Sequence, residues 1–152
     1  MFISSAITTL TGITNEMVQK SERSSKVMPR LKSFVADELI VAHNASFDSR
    51  FYKAEMSRLK IYPKNDFLCS LLLARRIYQD LDSHKLGVLC QYLGFKNRAT
   101  HRALGDAEAT HQVFNAICEQ VKASSGRSQV DYKYLTRLSK VPKKKVSSWL
   151  RV

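Results

Sequence analysis

The run Leu39-Ile40-Val41-Ala42 does most to limit what this chain can become. It is short, apolar and β-branched, so it reads as a strand buried on both faces, of the kind parallel sheets use. Such a strand needs cover on each side, and the residues after it supply some. Asp48 to Leu59 sets Phe51, Tyr52, Glu55, Met56 and Leu59 at helical spacing. Phe67-Leu68-Cys69 reads as a second short strand. Ser70 can then cap a helix running through Tyr78, and Lys85 to Leu93 forms another, closed by Gly94 in a C-cap position. Ala103 to Val121 predicts the longest helix, with Ala107, Val113, Phe114, Ile117 and Val121 on its apolar face. Strand, helix, strand, then helices is an α/β pattern.

The residues before Leu39 are less regular. Phe2-Ile3 reads as the end of an extended segment. Thr11 to Glu16 reads as a turn into a helix, with Thr14 or Asn15 as its cap. Lys20 to Lys26 is polar, a loop or frayed helix. Pro29 opens a helix through Val35, with Leu31, Phe34 and Val35 on one face. Two strands, or three with Phe2-Ile3, are few for a sheet carrying so many helices. Ser124-Ser125-Gly126 breaks the pattern and divides residues 1–123 from a basic tail, 124–152, holding one short helix near Tyr132 to Leu138.

The 152 residues suffice for one compact domain with a core. No apolar run approaches the roughly 18–20 residues of a membrane span. Cys69, Cys90 and Cys118 are odd in number and lack C-x-x-C spacing, which predicts reduced thiols and a cytoplasmic protein. The net charge is +12, and it is uneven. From Val121 onward Lys122, Arg127, Lys133, Arg137, Lys140, Lys143, Lys144, Lys145 and Arg151 face Asp131 alone. Such an excess suits a polyanion such as a phosphate backbone, or equally a solvated tail.

Two segments carry candidate chemistry. In Ala42-His43-Asn44-Ala45-Ser46-Phe47-Asp48, Asp48 follows the strand and opens a helix. A carboxylate at a strand end can hold a hard cation such as Mg²⁺ or Mn²⁺. An acid in a first helical turn is also favoured by the helix dipole alone, and on spacing that reading is the stronger. In His101-Arg102-Ala103-Leu104-Gly105-Asp106-Ala107, His101 and Asp106 lie five apart and share no helix face. With His101 in the loop and Asp106 in the first turns, they could serve as general base and metal ligand. A surface histidine and a first-turn acid are the plainer alternative, and Glu108 is a rival carboxylate.

These segments resemble the second and third motifs of the DnaQ-like 3′–5′ exonucleases of the DEDDh group. The first match is Leu39 to Asp48, and the second is His101 to Thr110. Thr11 to Glu16 is similar to the segment that lines the 3′-terminal nucleotide in that family. The resemblance implies a ribonuclease H-like α/β exonuclease fold using two Mg²⁺ or Mn²⁺ ions. It implies hydrolysis of phosphodiester bonds at the 3′ ends of single-stranded DNA or RNA, and association with a polymerase or another replication or repair protein. By the same resemblance Asp48 and Asp106 are metal-coordinating carboxylates and His101 the base. Ile13, Glu16, His43, Asn44 and Phe47 lie near the terminal nucleotide, though Phe47 would serve equally in a core. His84 and His111 match nothing and read as surface residues.

One part of the family pattern is missing. Its first motif, a strand carrying Asp-x-Glu, has no counterpart, since the acids before Asp48 are Glu16, Glu22, Asp37 and Glu38. Two nearby divalent ions need several anionic ligands to offset their repulsion. The expectation is a fold lacking its first strands, N-terminally truncated, and inactive or only weakly active alone. The alternative is a non-catalytic nucleic-acid-binding remnant or a polymerase-associated module.

Overall fold

The computed structural model describes residues 2–95 and 102–151. Three helices come first: α1 (Ser5–Thr11), α2 (Asn15–Lys20) and α3 (Ser24–Val35). Strand β1 (Ile40–Ala42) leads through α4 (Ala45–Arg58) to β2 (Phe67–Cys69). Then come α5 (Ser70–Ile77), α6 (Leu86–Tyr92), α7 (Ala103–Ser125), α8 (Tyr132–Lys140), a 3-10 turn at Lys143–Lys145, and α9 (Val146–Leu150). The strands pair in parallel, Ile40 with Phe67, Val41 with Leu68 and Ala42 with Cys69. The α/β expectation is thus met by a small parallel sheet joined by a helical crossover.

Side chains alternate across a strand, and here the alternation separates two apolar clusters. Leu39, Val41 and Leu68 face a large core with Leu73, Leu89, Val113, Ile117, Val121, Leu135 and Leu138. Ile40 and Phe67 face a smaller one built on Met28, Tyr52 and Met56. Both faces of β1 therefore meet apolar cover, as the sequence suggests, but every residue of β1 stays half-buried. The expectation of a fully buried strand is corrected to that extent.

A buried amide sets where the strands begin. Asn65 accepts from the Tyr52 hydroxyl at 3.1 Å and donates to the carbonyls of Ala36 and Glu38 at 3.1 and 2.8 Å. It ties the segment entering β2 to the one entering β1, and so helps to fix their register.

Several local expectations change. Pro29 lies inside α3, which begins five residues earlier at Ser24. Its missing N–H costs one intrahelical bond rather than marking the helix start. Met28 and Val35 face the smaller core, whereas Phe34 points into solvent, 87% exposed. Phe2-Ile3 is not a strand; Ile3 is held by the Asn15 side chain, which accepts from its N–H at 2.8 Å. Thr14 does cap α2, accepting from Met17 N–H. Ser70 is the first residue of α5, not its cap.

The largest change concerns the basic C-terminal segment. α7 runs on to Ser125, four residues past the expected end at Val121, and is closed by Gly126 at φ 69°, in the left-handed region. The chain then returns to the core. Tyr134, Leu135, Leu138, Val141, Val146 and Leu150 are all buried in the large cluster. The solvated-tail reading fails because α8 and α9 are amphipathic: their apolar sides close the core while the lysines and arginines remain outside.

Candidate functional site

The carboxyl ends of parallel strands are where α/β folds gather ligands. There β1 passes through His43 and Asn44 into α4. Asn44 sits at φ 70°, in the left-handed region, which asparagine tolerates better than most residues. This tight turn aims the first turn of α4 over the sheet end. Asp48 is the fourth residue of α4, and Asp106 is the fourth residue of α7. Both line one open cleft of about 1450 Å³, with His43, Asn44 and Phe47 on the same wall. Two motifs far apart in sequence are therefore brought to one place. Glu108, the rival acid, does not line it.

Asp48 is exposed and Asp106 half-buried. The Asp106 carboxylate adds to the burial that pushes the Cys90 thiol up, which puts it close to the core side of the cleft. Phe47 is 62% exposed, so it presents an apolar face to the cleft instead of packing in the core. His101 lies outside the described residues. Ile13, in the turn between α1 and α2, and Glu16, in the first turn of α2, do not line the cleft, and Glu16 pairs with Lys20 at 2.7 Å. The structure therefore does not bring these two to the site.

His43 is more a strut than a free ligand. Burial, outweighing a backbone hydrogen bond, holds its pKa below the usual 6.5, with the nearby charge of Arg75 contributing. The neutral ring fits its partners: Nε2–H donates to the carbonyl of His84 at 2.9 Å, and Nδ1 accepts from the Ser70 hydroxyl at 3.0 Å. His84 in turn donates from Nε2 to the carbonyl of Tyr78 at 2.8 Å. The chain Ser70–His43–His84–Tyr78 binds the end of β1 to the start of α5 and to the loop before α6. His84 is thus buried, against the expectation of a surface residue, while His111 is exposed as expected.

Sequence reasoning missed several residues of the cleft, notably Arg75, Asp82 and Lys85. None falls in a motif. Lys143, also on the cleft, belongs to the lysine run whose charge suits a phosphate backbone. Among the described residues no three His, Cys, Asp or Glu come together as a metal-binding group. Asp48 and Asp106 both line the cleft as hard oxygen donors, of the kind that suits Mg²⁺ or Mn²⁺.

An α/β domain with two carboxylates on a cleft at parallel strand ends is of a class able to hold a hard cation there. Comparison narrows this: the model of an exonuclease family matches residues 2–114, and the chain belongs to that family. A PolC-type DNA polymerase III of Caldanaerobacter subterraneus is 38% identical over 120 residues, 79% of this chain but 9% of that protein. One from Clostridium perfringens is 35% identical over 116 residues, 76% of this chain and 8% of that protein. The DNA polymerase III subunit epsilon of Aquifex aeolicus is 35% identical over 141 residues, 91% of this chain and 68% of the subunit. The chain therefore spans a small part of the PolC-type relatives and about two thirds of the epsilon subunit. The DnaQ-like resemblance of the motifs is borne out. No helix among the described residues is long and apolar enough to cross a membrane.

Proposed function

We propose that the cleft is the centre of a metal-dependent 3′–5′ exonuclease acting on single-stranded nucleic-acid ends. The observation that carries the proposal is that Asp48 and Asp106, each from a separate motif, line the same cleft. Asp48 and Asp106 would hold the divalent cation. When bound, such an ion polarises the phosphoryl group and offsets the charge that develops on it. His101 takes the proton of the attacking water. The new bond joins water oxygen to phosphorus and the P–O3′ bond breaks; the O3′ of the shortened strand takes up a proton and a nucleoside 5′-monophosphate is released. Asn44 and Phe47 position the terminal nucleotide, Phe47 by lending an apolar face to its base or sugar. His43 keeps both ring nitrogens for Ser70 and His84 and so orients the turn that carries them.

The relatives named as DNA polymerases favour DNA over RNA, and a polymerase as partner. The family's Asp-x-Glu motif has no counterpart in these residues, so two carboxylates would hold ions weakly. The expected outcome is slow digestion by the chain alone, and faster digestion when an Asp-x-Glu strand is supplied at the N-terminus. The assay follows a 5′-labelled oligonucleotide shortening stepwise in Mn²⁺ and stopping in EDTA. In the supplemented protein His101→Ala should lower the rate by about two to four orders of magnitude. Rapid digestion that ignores EDTA, or that survives His101→Ala, would refute the assignment.

A further inference from the structure

Three cations come to the cleft from three separate elements: Arg75 from α5, Lys85 from the cap of α6, and Lys143 from the 3-10 turn. Among the described residues their side chains make no ion pair, whereas Lys20, Arg30, Lys32, Arg58 and Lys122 each hold a carboxylate. Among the described residues Asp48 and Asp82, the exposed acids of the cleft, form no ion pair with these three cations. Lys143 is also held in place. Gln79 Nε2 donates to its carbonyl at 3.1 Å, and Arg76 Nε donates to the carbonyl of Val141 at 3.2 Å. Val141 and Val146, on either side of the lysine turn, are buried.

We infer that Arg75, Lys85 and Lys143 form a track for the phosphates of a single nucleic-acid strand upstream of its 3′-terminal nucleotide. This rests on the reading of the cleft as a nuclease site and extends it to the rest of the strand. Arg75 lies near enough to His43 for its charge to be felt there, at the sheet end beside the carboxylates. Lys143 is tied to Gln79, just beyond the far end of α5. Arg75 is the sixth of the 8 residues of α5, and Gln79 lies four residues further on, about 6 Å at 1.5 Å each. An exposed aromatic, Phe47, at one end and unpaired cations along the way is the combination that binds single strands, whose bases stack and whose backbone is neutralised. An acidic protein would have little use for the aromatic face.

The test is binding in EDTA of a 5′-fluorescein oligothymidylate of about 12 nucleotides, followed by anisotropy. The wild-type chain is compared with the triple variant Arg75→Ala, Lys85→Ala, Lys143→Ala, and with a charge-matched control, Lys53→Ala, Lys60→Ala, Lys64→Ala. All six residues are exposed, so folding should survive in both variants. Each phosphate contact contributes about 0.7 to the slope of log K against log salt for single strands, so the triple variant should lose about 2 from that slope. Between about 50 and 200 mM salt the wild-type affinity should then fall roughly 15- to 20-fold further than the variant's. Thymidine monophosphate, which spans no track, should bind both alike. Equal slopes, or an equal loss in the control, would overturn the track and leave the nuclease reading standing. No binding of the oligonucleotide by the wild type, even at low salt, would overturn both.

Discussion

Leu138→Ala should destabilise the whole domain, because α8 is part of its core. Leu138 is fully buried among the side chains of the large cluster. The substitution removes three carbons, worth about 2.4 kcal/mol of transfer free energy at roughly 0.8 per carbon. The cavity left behind adds to that, and fully buried leucines cost about 2.7–5 kcal/mol in all. At about 2–4 °C per kcal/mol for a chain of this size, the thermal midpoint should fall by roughly 5–20 °C. Circular dichroism melts of both proteins at one pH and salt measure it directly. Lys144→Ala with Lys145→Ala, on exposed positions of the same segment, should move the midpoint by no more than about 2–4 °C. A Leu138→Ala melt superimposable on the wild type would refute the claim that the C-terminal segment is core rather than tail.

Two further outcomes follow from buried polar groups. Asn65→Ala strands the Tyr52 hydroxyl and the carbonyls of Ala36 and Glu38, and should cost about 1–3 kcal/mol in urea unfolding, more than Tyr52→Phe. For His43, burial holds the folded pKa below the unfolded value of 6.5, so its contribution to stability is complete above pH 6.5 and is lost as pH falls from there through the folded pKa. The wild-type midpoint should therefore drop more steeply than that of His43→Gln on acidification from about pH 7.5 to 5; parallel profiles would contradict it.

The parts of the fold that local pattern could reveal were those with a strong period or a terminator. β1, α4, β2, α6 and the long α7 follow from β-branched runs, helical spacing and the glycines at 94 and 126. α1 was invisible because Ser5–Thr11 is rich in β-branched residues and in threonines. Those threonines bond back to the carbonyls of Ser5 and Ile7, and Ser4 accepts from the N–H of Ile7. The outward direction of Phe34 and the inward one of Met28 depend on where α3 begins, which Pro29 disguised. The site was half legible. Motif residues flanking the strand end declare themselves, since backbone turn and carboxylate are neighbours in sequence. Arg75, Asp82, Lys85 and Lys143 reach the cleft only through tertiary folding, and His84 reads as a surface residue until His43 is placed against its carbonyl.

The central claim is that Asp48 and Asp106 serve one cation. Titration of Mn²⁺ into the chain, read by the loss of its free-ion paramagnetic resonance signal, tests this without requiring turnover. The account predicts weak binding by the wild type, and a loss of at least about tenfold in affinity for Asp48→Asn and for Asp106→Asn alike, since each removes one anionic oxygen ligand of a shared ion. The double substitution should add little further, because the site is already lost. Wild-type affinity retained in either single variant, or two independent losses that multiply, would show that the two carboxylates do not share an ion.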